Sequence, residues 1–106
     1  MWKSSDERIM DIIDKTGPGN EECFPVMCPI CRKKDGHLFF YKPNPRETRG
    51  GVWTWCSACH NSMHASCRIP EWWRNPPDII FDNLAAIPDY LESNKIYIDQ
   101  WINGLL

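Results

Sequence analysis

Four of the six cysteines fall into two Cys-x-x-Cys pairs, Cys28-Pro29-Ile30-Cys31 and Cys56-Ser57-Ala58-Cys59, separated by 24 residues. A Cys-x-x-Cys turn places two sulfurs on one side of a tight backbone loop, and two such turns supply the closed tetrahedral sulfur set that structural zinc prefers. The pattern predicts a Zn2+ site made by Cys28, Cys31, Cys56 and Cys59. With four protein ligands no position is left for water or substrate, so the metal argues for architecture rather than catalysis. A chain of 106 residues buries a modest fraction of its surface, and zinc is the expected staple. Structural zinc binds small peptides with roughly 10–16 kcal/mol near neutral pH, comparable with the whole stability of a domain. Its loss is expected to unfold at least residues 23–70.

Three disulfides are the competing use of six cysteines, but Met1-Trp2-Lys3-Ser4-Ser5-Asp6-Glu7 lacks the apolar core of a signal peptide. Reduced thiols and a cytoplasmic location are expected. No apolar run approaches the roughly 20 residues needed to cross a membrane.

The chain reads as one α+β domain in three parts: an N-terminal helix and loop over 1–22, a metal-bearing ribbon over 23–70, and a C-terminal helical extension over 71–106. Ser4 and Glu7 match a capping box, and Ile9, Ile12 and Ile13 share a face, which predicts a helix over 4–16 ended by Gly17-Pro18-Gly19. His37 to Tyr41 is aromatic enough for a strand, and Val52 to Trp55 predicts a second with the two tryptophans on one face. Between them Lys42 to Gly51, with two prolines and two glycines, reads as a long loop. In Asn61 to Ile69 the residues Met63, Ala65, Cys67 and Ile69 alternate with His64, Ser66 and Arg68, predicting a third strand. Glu71 to Pro77 is a rigid aromatic corner expected to pack on something. Asp78 or Asp82 is expected to cap a helix through Leu84, Ile87 and Leu91, interrupted at Pro88. A last helix from about Lys95 presents Ile98, Trp101, Ile102 and Leu105 on one face.

Cys-Pro-x-Cys, two aromatic strands and a second Cys-x-x-Cys over residues 28–69 resemble the zinc-ribbon group of small folds. That resemblance implies two cysteine knuckles facing each other across zinc, treble-clef-like, with a three-stranded antiparallel sheet behind them and helices on either flank. It implies no substrate. The spacer exceeds the roughly 15–20 residues usual for this ligand pattern, and the surplus falls in the proline-rich loop. The string Gly51-Val52-Trp53-Thr54-Trp55-Cys56, followed by His64-Ala65-Ser66 and Ile69-Pro70-Glu71-Trp72-Trp73, looks like a signature of short, uncharacterised bacterial proteins with a single ribbon. Some of those are partners or immunity factors in toxin loci, so the likeness implies a protein-binding role of that type.

Cys23, His37, His60, His64 and Cys67 are enough in type for a second metal, but their spacing is wrong for a cross-brace. They are expected to pack, with His60 beside the knuckle shielding it. Strand alternation sends His64 and Cys67 to opposite faces, and no phosphate-cradling loop, serine elbow or carboxylate pair appears, so no catalytic residue is assigned. Of the six tryptophans most are expected in the core, with at least one edge exposed.

The formal charge of −2 conceals a basic middle, since residues 32–70 carry seven Lys and Arg against Asp35 and Glu47 between acidic flanks. The leading reading is a non-enzymatic zinc-binding protein–protein interaction module using an apolar, acidic C-terminal surface. The alternative is single-stranded nucleic-acid binding through the basic loop 32–49 and the ribbon aromatics, which the acidic flanks oppose.

Overall fold

The structure is a computed structural model that describes residues 1–17, 22–79 and 88–106. It is α+β: a 3-10 helix (Glu7–Thr16), strands β1 (Gly36–Tyr41), β2 (Arg49–Cys56) and β3 (Ser62–Arg68), and helices α1 (Asp89–Ser93) and α2 (Lys95–Leu105). The strands form an antiparallel sheet in the order β1-β2-β3. The register pairs Phe39 with Trp53 and Trp53 with His64. Among the described residues no helix is long and apolar enough to cross a membrane.

The first helix departs from expectation in its start and its pitch. Lys3 donates to the His60 carbonyl and accepts from the Ser62 N–H, so the arm stays extended past Ser4 and the Ser4/Glu7 capping box does not form. Asp6 caps instead, accepting from the Arg8 N–H. The 3-10 pitch of three residues per turn aligns Ile9 over Ile12 and Met10 over Ile13 over Thr16, two adjacent stripes laid on the sheet. Ile9 and Ile12 are fully buried and Thr16 nearly so, while Ile13 is half-buried.

β2 begins three residues earlier than the hydrophobic pattern predicts, taking in Arg49, Gly50 and Gly51 and confining the loop to 42–48. The glycines are strand residues because the sheet is tight there. A Cβ on Gly50 would collide with the Tyr41 carbonyl, and one on Gly51 would lie 2.7 Å from the Trp53 ring. Gly104, on α2, faces open space. Gly51→Ala should therefore destabilise by about 1–3 kcal/mol through overpacking, whereas Gly104→Ala should stabilise by about 0.5–1 kcal/mol. Paired thermal melts of the two variants check the opposite signs.

Both faces of the sheet are covered at β1 and β2. The 3-10 helix lies against the face carrying Leu38, Val52 and Thr54, where the Thr54 hydroxyl donates to the Met10 sulfur at 3.3 Å. α2 packs against β1 with Ile98 and Ile102 fully buried. The apolar face of α2 expected from the sequence is thus turned inside the molecule, and Trp101 and Leu105 complete it half-buried, while Ile96 stays exposed. The corner at 71–77 does pack: Trp73 meets Phe39 and Phe40 edge-on at 5.6 and 5.4 Å, although those two alternate across the strand. It therefore closes the outer edge of β1.

Trp53, Trp55 and Trp73 are buried, and Trp2, Trp72 and Trp101 half-buried. Three indole N–H groups tie distant segments: Trp2 to Asp89 (2.7 Å), Trp55 to Glu92 (3.1 Å) and Trp101 to the Arg74 carbonyl (2.7 Å). Asp82, Leu84 and Ile87 of the expected helix lie outside the described residues. The residues that Asp78 would cap also lie outside the described residues, and α1 starts from Pro88.

Candidate metal centre

Each cysteine pair builds the same turn. In the first, the Ile30 amide donates to Cys28 Sγ at 3.4 Å and the Arg32 amide to the Cys28 carbonyl at 3.0 Å. In the second, Ala58 donates to Cys56 Sγ at 3.4 Å and His60 to the Cys56 carbonyl at 3.0 Å. The residue after each turn, Arg32 (φ 68°) or His60 (φ 59°), swings into the left-handed region to reverse the chain. Such a conformation is uncommon away from glycine. Its repetition at equivalent positions marks two copies of one knuckle.

Gly36, opposite Cys56 in the β1–β2 register, exchanges backbone hydrogen bonds with Val26, which brings the first knuckle against the end of β2. The four sulfurs then face one another, all within 4.8 Å. Cys28 lies 3.7 Å from Cys59 and Cys31 3.7 Å from Cys56. A tetrahedron with metal–sulfur bonds of about 2.3 Å has edges of about 3.8 Å, while a disulfide needs about 2.05 Å. The arrangement fits a closed four-thiolate metal site.

The surroundings agree with that fit. Burial pushes the Cys28 and Cys56 thiols up. Cys59 feels the same desolvation, but the side-chain and backbone N–H groups of Asn61, together with the Cys56 and Cys28 thiols, outweigh it and bring the thiol to about 7. The Asn61 amide lies 3.1 Å from Cys59 Sγ. A cation shared by the cluster would supply the countercharge that the two buried sulfurs lack.

The leftover candidates are not gathered. Among the described residues the only metal-competent cluster is that of the four knuckle cysteines. Cys23 is exposed and Cys67 half-buried on β3. His60 stacks on Trp2 at 4.6 Å, and His64 on Trp53 at 4.7 Å.

His37 belongs to a polar network that the spacing of the chain did not disclose. Its Nδ1 lies 2.9 and 3.0 Å from the two Asp99 oxygens, and its Nε2 2.9 Å from Ser57 Oγ. Both members of the pair are buried. Burial raises the Asp99 carboxyl above the usual range, opposed by the imidazole. The nearest sequence signal is the stripe Glu92, Lys95, Asp99, a polar row beside the apolar face of α2.

Asp99, His37 and Ser57 stand in the order of a Ser-His-Asp triad, yet the protons run the other way. Ser57 donates its single hydroxyl proton to Glu92 Oε1 at 2.7 Å and accepts from Lys95 Nζ at 3.3 Å. Desolvation works against the Glu92 carboxylate, but its bonds from Ser57, Lys95 and Trp55 prevail and hold it ionised below the usual range. The hydroxyl having no second proton, His37 Nε2 must be the donor to Ser57. An imidazole protonated toward the serine holds no lone pair to activate it. The network instead pins the second knuckle, through Ser57, to α1 and α2.

Comparison with protein-family models, curated proteins and solved structures finds no match for this chain.

Proposed function

We propose that this is a non-enzymatic protein–protein interaction module whose fold is held by one structural Zn2+ on Cys28, Cys31, Cys56 and Cys59. The observation that carries the reading is the closed sulfur cluster: four protein thiolates at tetrahedral spacing favour zinc and leave no coordination position for a substrate. The direction of the Ser57 hydrogen bonds supports the absence of a hydrolytic role. A bacterial partner or immunity-type role fits a small module of this kind.

Burial weighs against the nucleic-acid alternative. Phe39, Trp53 and Trp55 are 0, 8 and 1% exposed, which leaves half-buried Tyr41 as the accessible aromatic of β1 and β2 for a base to stack on. Purified protein should carry one zinc per chain with a sulfur-only, four-coordinate absorption spectrum, and a fluorophosphonate probe should leave Ser57 unlabelled. Single-stranded oligonucleotides should not bind at low salt, and Arg46→Ala/Arg49→Ala should change nothing. Labelled Ser57, or salt-sensitive oligonucleotide binding lost in the double variant, would replace this reading.

A further inference from the structure

The two edges of the sheet are treated differently. The β1 edge is paired with Val26 at Gly36, covered by Trp73, and clamped at its end by Asn75, whose side chain accepts from the Lys42 N–H and donates to the Lys42 carbonyl. On β3 the Asn61 carbonyl accepts from Cys56 on the inner side, while the Ser62 N–H donates outward to Lys3. Alternation then aims the N–H and C=O of His64, Ser66 and Arg68 away from β2. Among the described residues no backbone group pairs with these three. An open row of donors and acceptors is a template for another strand, and natural proteins usually cover or charge it.

Resting on the interaction reading above, we propose that the β3 edge from His64 to Arg68 is the docking site, and that its occupant is an extended partner segment alternating apolar with acidic residues. The charge around this edge selects that chemistry. Arg49 and Arg68 sit directly opposite each other in the β2–β3 register, both exposed and on the His64 side of the sheet. Neither joins an ion pair among the described residues. On that side a hollow of about 310 Å³ between Tyr41, Trp53, His64 and Ser66 receives a side chain. The opposite side presents Met63, Ala65 and Met10, rimmed by Glu7, Asp11 and Arg8, whose guanidinium is already held by Asp6, so it favours apolar groups over acidic ones. An added strand has its side chains alternating between these environments, so backbone pairing and the two-sided pattern fix a single register.

The N-terminal arm shows that the edge accepts an added strand, since Lys3 already forms a parallel rung at Asn61. A second copy fits poorly. Antiparallel self-pairing about Ser66 sets His64 against Arg68 and gathers both copies' Arg49 and Arg68 on one face. Pairing about Ala65 needs the Ser62 N–H, which Lys3 already holds.

The test uses zinc-loaded, isotope-labelled full-length protein and a capped nonapeptide alternating valine with glutamate, compared with its lysine counterpart and with a version N-methylated on the residues that would face β3. The glutamate peptide should shift the amide resonances of His64, Ser66 and Arg68. Arg49→Glu/Arg68→Glu should weaken it about ten-fold, from two lost cross-strand charge pairs. Ser66→Pro removes only an outward N–H and should abolish binding, as should N-methylation, which leaves the protein untouched. No shift on β3, equal binding of the lysine peptide, or indifference to N-methylation overturns the proposal. Sedimentation showing a dimer that Ser66→Pro dissociates overturns the stated occupant. A host protein captured equally by wild type and Ser66→Pro removes the edge while leaving the interaction reading intact. Oligonucleotide binding that needs Arg49 and Arg68 removes both.

Discussion

Cys56→Ser should yield a protein that holds no stoichiometric metal and shows no cooperative unfolding transition. Cys56 is fully buried where β2 runs into the second knuckle, and its sulfur lies 3.7 Å from Cys31. Losing it removes a ligand and also the joint between sheet and site. Structural zinc supplies roughly 10–16 kcal/mol in small peptides, against a typical domain stability of about 5–15 kcal/mol, so the remaining core cannot make up the difference. The other two cysteines provide the contrast. Cys67→Ser alters a half-buried β3 residue outside the cluster and should cost about 1 kcal/mol with full metal retained, and exposed Cys23→Ser should leave both metal content and melting unchanged. Metal analysis with near-ultraviolet circular dichroism of the tryptophans reads all three. A folded Cys56→Ser protein with one zinc per chain would separate the fold from the site.

Much of this arrangement was legible because it is local. Each knuckle is written in four consecutive residues, and the three strands follow from aromatic runs and strict alternation, as at Met63, Ala65 and Cys67. The misreadings share one physical origin, which is that tertiary neighbours override local preference. Ser4 is a good cap, but Lys3 is bound to β3 and holds the chain extended past it. Ile9, Ile12 and Ile13 suit both helical pitches, and the sheet beneath selects the tighter one. Gly50 and Gly51 look like loop residues because glycine favours no structure, and only the crowding by Tyr41 and Trp53 reveals why a strand needs them. His37 and Asp99 are separated by 62 positions, and no periodicity announces a contact of that range.

That pair carries the second large effect. Asp99→Ala should destabilise by about 3 kcal/mol, the cost of leaving a buried imidazole N–H without its acceptor. His37 is 2% exposed, and water cannot replace the lost acceptor at Nδ1. Asp99→Asn keeps an oxygen facing that nitrogen and should cost less, about 1–2 kcal/mol. Removing both polar groups, in His37→Phe/Asp99→Leu, should recover most of the stability lost in Asp99→Ala, because apolar residues need no hydrogen-bond partners. Recovery will be incomplete. Ser57 then loses the N–H that His37 Nε2 donates, although Lys95 and Glu92 still engage its hydroxyl. Chemical denaturation of these proteins at neutral pH, with zinc saturating, reads the recovery, and the single variants His37→Phe and Asp99→Leu close the double-mutant cycle that gives the coupling energy. A double variant no more stable than Asp99→Ala would mean that the pair does more than satisfy itself, and that its charge is felt through Ser57 at the knuckle.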